Sequence, residues 1–207
     1  MKRNSGFTLM EMVVVLVVVV ILAAILTPTI AKNINDAKLA RANNETQVIG
    51  AAIGSFFKDV GRWPTSDGAA GLPDAIQLLY GPGSAPAEDA GATNEEYWLT
   101  TGSTTWTAFD TFADHLITND PGGGANNYPD NTTVPLPELR WHGPYLTEIK
   151  ADPWGSYYSC NIYYTWFTPT NNVCVWSAGP DRTAQTDATQ ASTAFAVGGD
   201  DILFRLQ

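Results

Sequence analysis

The chain has 207 residues, 21 acidic against 11 basic, for a net charge of -10. That length accommodates one membrane segment and one soluble domain of roughly 150–175 residues. The acidic balance excludes a basic nucleic-acid-binding face, suits a solvated exported surface and leaves room for a cation partner.

Basic charge is concentrated early, at Lys2, Arg3, Lys32, Lys38, Arg41, Lys58 and Arg62. After Lys2 and Arg3, the 25 residues from Phe7 to Ala31 carry a single charge, Glu11. A helix of that length rises about 37 Å, enough to cross a hydrocarbon core of roughly 30 Å. The run is longer than a secretory signal, and no A-x-A cleavage site follows it. An anchor helix with a cytoplasmic basic flank explains the length. It does not explain Glu11, because a charge in a membrane segment costs about 2.5–3.5 kcal/mol or more.

Lys2-Arg3-Asn4-Ser5-Gly6 followed by Phe7-Thr8-Leu9-Met10-Glu11 resembles the prepilin signal of type IV pilins and type II secretion pseudopilins. The resemblance implies cleavage after Gly6 by a prepilin peptidase, N-methylation of Phe7 and retention of the apolar helix. Met10-Glu11-Met12 departs from the family, which more often has a small or branched residue before its Glu. Cleavage would create an amine at Phe7. In a filament, Glu11 of an incoming subunit can pair with that amine on its neighbour, because a buried charge is costly unless paired. The competing reading is that Glu11 sits at the interface and snorkels to headgroups. Pro28 falls within the helix and removes one backbone bond. The resemblance implies a loss of helix near it on packing, and an ordinary kink is the alternative.

Beyond Lys32, the residues Val48, Ile49, Ala52, Ile53, Phe56, Phe57 and Val60 recur at helical spacing. They predict an amphipathic half over 32–62, with Gly61 and Pro64 ending it. Phe57-Lys58-Asp59-Val60-Gly61-Arg62-Trp63-Pro64-Thr65 resembles a block of major pseudopilins. Leu72, Ile76 and Leu79 predict a short second helix. Residues 81–139, rich in Gly/Pro/Asn clusters, read as an insertion decorating the filament surface, with a short helix over Trp106 to Ile117. Its Asp120, Asn126, Asn127, Asp130 and Asn131 suit turns better than ligation.

Gly143-Pro144-Tyr145-Leu146 and Asp152-Pro153-Trp154-Gly155-Ser156-Tyr157-Tyr158 are also similar to blocks of the major pseudopilin of type II secretion. Strands are predicted over Tyr157–Trp166, Val173–Ser177 and Asp201–Leu206. The expected fold is therefore α+β and type IV pilin-like. A long N-terminal helix packs on a small antiparallel sheet of about three strands. The domain plan is a leader 1–6, a membrane or filament-core helix 7–31, an amphipathic half 32–62 and a globular domain 63–207. Cys160 and Cys174 are the two cysteines. An oxidising compartment favours pairing, but a tight hairpin at Pro169–Asn172 would place Cys174 opposite about Phe167. A bridge between them therefore requires a wide loop, and the question stays open.

Ser177-Ala178-Gly179-Pro180-Asp181 and Gly198-Gly199-Asp200-Asp201-Ile202 resemble the calcium-binding loop of major pseudopilins. That implies calcium held by the Ala178 carbonyl and the carboxylates of Asp181, Asp200 and Asp201, with Asp187 in reach. Calcium takes six to eight oxygens. Arg182 stands where the family has Gly, and the loop is longer than the family's. The alternative is a solvated acidic turn with no ion.

His115 and His142 are isolated in sequence, and no nucleophile or zincin motif occurs, so the reading is a structural subunit and not an enzyme. The resemblance implies a homopolymer in a periplasmic pseudopilus that helps drive export. Its partners are minor pseudopilins, an inner-membrane assembly platform, a prepilin peptidase and, indirectly, a cytoplasmic ATPase. The subunit would be stored in the inner membrane with its globular domain in the periplasm. The rivals are a surface pilin and a membrane-anchored binding protein that never polymerises.

Overall fold

The computed structural model describes residues 6–68, 76–89, 98, 108–123, 127–130, 139–165, 171–191 and 193–206. Helix α1 runs from Leu9 to Val60, 52 residues with Pro28 inside. It ends where the sequence predicts. Gly61 adopts φ 74°, and its N–H donates to the Phe57 carbonyl at 2.9 Å, closing the last turn in the left-handed conformation that glycine tolerates.

The chain divides into two compact units, Met1–Ala40 and Arg41–Gln207. In the first, the apolar side chains from Phe7 to Ile34 are exposed on every side of the helix, as expected of a segment whose solvent is lipid or other protein. In the second, α1 buries Ala42, Ile49, Ala52, Ile53, Phe56 and Val60. Val48 and Phe57, also part of the predicted stripe, stay partly exposed at 47% and 39%. Gly50 has a packing reason: a Cβ there would collide with the Phe204 ring, whereas one on Gly54 would meet open space.

Among the described residues, seven short strands follow: β1 (Leu78–Tyr80), β2 (Ala87–Glu88), β3 (Phe109–Thr111), β4 (Ser159–Cys160), β5 (Cys174–Ser177), β6 (Thr183–Ala184) and β7 (Ile202–Arg205). Five form the main sheet in the order β3-β1-β4-β5-β7, and β2 pairs with β6. The main sheet is mixed, because β1 and β3 are parallel and its other pairs antiparallel. It is thus larger than the three antiparallel strands expected, although β4, β5 and β7 fall within the three predicted segments.

Both faces of the sheet are buried. Leu78, Leu79, Cys160, Val173 and Val175 share a core with Ile49, Ile53 and Phe56 of the helix. Cys174, Trp176 and Ala178 share a second core with Trp98, Ala184 and Ala188, where the Trp98 and Trp176 rings stack at 5.3 Å.

Several expectations need correction. The helix expected through Leu79 is strand β1 at Leu78–Tyr80, and Leu72 lies outside the described residues. The long strand from Tyr157 breaks after Cys160 into a 3-10 turn at Ile162–Thr165. The reason lies at Asn161, whose side chain leaves the ladder to donate to the Asn172 and Ala188 carbonyls. Phe109 belongs to β3, and helical winding begins only after it, as a π-type turn at Asp114–Thr118 capped by Asn119 at φ 57°. Nor does the 81–139 segment merely decorate a surface. It supplies edge strand β3, and Phe112, Leu116 and Tyr128 enter the helix-side core.

Candidate functional site

Two regions carry the predicted functional residues, one in each unit. In the first, Gly6 and Phe7 precede α1, with Phe7 81% exposed. A Cβ on Gly6 would meet nothing within 4 Å, so the fold does not require glycine there.

Glu11 has a partner within its own chain. Its Oε2 accepts hydrogen bonds from the Thr8 backbone N–H and the Thr8 hydroxyl, both at 2.8 Å, while the Glu11 N–H donates to Thr8 Oγ1 at 3.3 Å. This is a reciprocal capping box that satisfies orphan donors at the helix start. Thr8-Leu9-Met10-Glu11 has the S/T-x-x-E spacing, so the signal was present in the sequence and overlooked. Pro28 also has a local companion, since the Thr27 hydroxyl donates to the Ala23 carbonyl at 2.7 Å. Such back-bonding loosens a helix turn next to the position where proline already removes a bond.

In the second unit, the acidic loop separates the four predicted cation ligands. Asp201 turns inward, and its Oδ2 accepts the Gln185 and Thr186 N–H groups at 3.0 and 2.6 Å. That makes it a clamp on the 185–186 turn. Burial pushes its carboxyl upward, with the hydrogen bonds pulling the other way. Asp181 and Asp200 stay together: Asp200 Oδ2 accepts the Asp181 N–H at 3.2 Å. Burial, then the neighbouring Asp181 charge, raises the Asp200 carboxyl. Asp200 Oδ1 is buried without a hydrogen-bond partner and lies beside Gly179, whose positive φ of 64° and lack of a Cβ allow that approach. Ala178 is fully buried in the loop-side core. Asp187 is taken up by Thr189, whose N–H and hydroxyl both donate to it at 2.7 Å. Among the described residues, no three acidic, histidine or cysteine groups converge as a metal cluster. Of the predicted ligands, Asp181 and Asp200 are thus in direct contact, and Asp201 Oδ1, like Asp200 Oδ1, is buried without a hydrogen-bond partner.

Cys160 and Cys174 are free, buried thiols. Cys160 pairs in register with Val175 rather than with Cys174, and this register keeps the thiols apart.

His115, isolated in sequence, is fully buried between two partners. Its Nδ1 lies 2.8 Å from the Tyr128 hydroxyl and its Nε2 3.0 Å from Asp110 Oδ2, which also accepts the Gly122 N–H. Burial pushes the Asp110 carboxyl upward, but its bonds to His115 and Gly122 outweigh this and lower it. This buried chain of hydrogen bonds ties Asp110, His115, Gly122 and Tyr128 together.

The model of the prokaryotic N-terminal methylation motif matches residues 1–27. The chain is similar to the fimbrial protein EcpC of Eikenella corrodens, 31% identical over 77 residues, covering 37% of this chain and 50% of that protein. The chain thus spans about half the length of that curated relative. No solved structure matches the chain. Together with the apolar helix, the motif and the fimbrial relative support a type IV pilin-like structural subunit that carries a methylation signal and a membrane-associated N-terminal helix.

Proposed function

We propose that the chain is a filament subunit of the pseudopilus of a type II secretion system, assembled from copies of itself through the N-terminal helix. The observation that carries the filament reading is the exposed apolar N-terminal half of α1, with one carboxylate at its start. Such a surface needs lipid or other copies around it. In this reading a prepilin peptidase cuts after Gly6, Phe7 is methylated, and its amine meets Glu11 of a neighbour. Minor pseudopilins and an inner-membrane platform complete the assembly. The globular domain faces the periplasm.

The secretion role is favoured by the resemblance of the 61–65, 143–146 and 152–158 blocks to those of major pseudopilins. A surface pilin is the second reading, favoured by the fimbrial relative. A deletion strain separates them. Loss of exoproteins from the medium, with no change in surface fibres, supports the secretion role; loss of long fibres with intact secretion overturns it in favour of the pilin.

The same proposal includes calcium at Asp181 and Asp200, supported by the buried, unpartnered Asp200 Oδ1 and by the hydrogen bond that holds the Asp181 backbone against the Asp200 carboxylate. The bound ion would neutralise them and tie β7 to the turn before β6. With calcium at a hundredfold excess over its Kd, stability rises by about 2.7 kcal/mol. That corresponds to a Tm shift of about 5–10 °C for a domain of this size. Thermal unfolding in calcium and in chelator measures it, and an Asp200→Asn variant should abolish the shift. Equal melting temperatures in both buffers would remove the site.

A further inference from the structure

Cys160 and Cys174 lie on neighbouring strands but on opposite faces of the sheet. Cys160 is paired with Val175, and the two share the helix-side core. Cys174 is one residue out of step and packs with Trp176 in the loop-side core. Successive side chains of a strand point to opposite faces, so the two thiols are separated by the sheet itself. A disulfide needs converging Cβ atoms about 3.5–4.5 Å apart. Bringing these cysteines together would require β5 to slip one residue against β4. A one-residue slip turns every side chain of the strand to the other face. Trp176 would enter the helix-side core and Val175 would leave it, while both cores are already filled.

In the unfolded chain no such barrier exists. Residues 161–173 form a short loop whose closure costs little entropy. We propose that this domain folds only as the dithiol, and that a Cys160–Cys174 bridge made before β4 and β5 pair blocks the native sheet. The oxidant is a low-molecular-weight disulfide. One cysteine thiolate attacks it and releases one small thiolate, leaving a mixed disulfide. The second cysteine thiolate attacks the protein-side sulfur and releases the other. Two protein thiols lose two protons and two electrons, and the small disulfide is reduced to two thiols. Once the domain is folded, the reaction is closed. Both sulfurs are fully buried, and burial pushes the Cys174 thiol up to about 12 and the Cys160 thiol up as well. The attacking thiolate is then scarce. The gate therefore acts in one direction, requiring folding before oxidation, and it holds whichever filament the chain joins.

The full chain in detergent micelles tests this with oxidised glutathione. Protein folded first and then exposed should keep both thiols, with alkylation slowed more than about 1,000-fold relative to chain in urea. Protein unfolded in urea, oxidised and returned to buffer should lose 2 Da, yield a joined Cys160–Cys174 peptide, and fail to recover native near-ultraviolet circular dichroism. Dithiothreitol should restore it. Cys174→Ala and Cys160→Ala should each remove the requirement for reductant. If one variant fails to fold, the other and the wild-type recovery with dithiothreitol still decide. A bridged chain that regains the native spectrum and Tm would overturn the proposal.

Discussion

Replacing Glu11 with glutamine should leave the helix and prepilin processing intact while lowering filament yield about 100-fold. The choice of residue matters because Glu11 already has an intrachain role, accepting two hydrogen bonds from Thr8. Glutamine also serves in a capping box, so Glu11→Gln keeps the cap and removes only the charge. An unpaired charge in an apolar segment costs about 2.5–3.5 kcal/mol, and about 1.4 kcal/mol is tenfold in an equilibrium. Pairing with a neighbour's amine recovers that energy, and glutamine cannot do so. Thr8→Val gives the converse: it removes the cap, at about 0.5–2 kcal/mol, and keeps the charge, so its assembly defect should be the smaller one. Assembly can be read by sedimentation and electron microscopy, with processing followed by mass spectrometry. If Glu11→Gln assembled like the parent, the carboxylate would be only a helix cap.

Asp152→Ala should destabilise the globular domain by about 3–5 kcal/mol, a Tm loss on the order of 10 °C. Asp152 is 4% exposed and organises the turn that carries Pro153, Trp154 and Gly155. Its Oδ1 accepts the Trp154 and Ser156 N–H groups at 3.0 and 2.8 Å, and its Oδ2 accepts the Ser177 hydroxyl of β5 at 2.8 Å. Alanine leaves those donors buried and unpaired, which costs more than the lost bonds are worth. Asp152→Asn keeps an acceptor for the turn and should cost less. Urea unfolding followed by tryptophan fluorescence would measure both. A change below 1 kcal/mol for the alanine variant would contradict this account of the turn.

The Asp152 turn shows how far the sequence could be followed. Asp-Pro and Trp-Gly announced a turn. The reach of Asp152 to Ser177, 25 residues on, could not be read, because a carboxylate's partner across the fold has no local signature. Among the predicted ligands, Asp181 and Asp200 meet whereas Asp201 turns away. Side chains of consecutive residues diverge, and only the register of β7 decides which one faces the turn. The strands β1 and β3 were missed because three-residue segments are too short for alternation to declare itself. The Thr8 cap, by contrast, is legible in the local Thr-x-x-Glu spacing, because a capping box is closed within four residues.

The sequence by itself determined the long helix, its end at Gly61, its exposed apolar half and its buried stripe from Ile49 to Val60. These follow from periodicity, glycine and proline, which act within a few residues. Tertiary structure alone decided the mixed five-stranded order, the burial of His115 between Asp110 and Tyr128, and the opposite faces of Cys160 and Cys174. Each depends on pairing between distant segments, where a shift of one residue exchanges inside for outside.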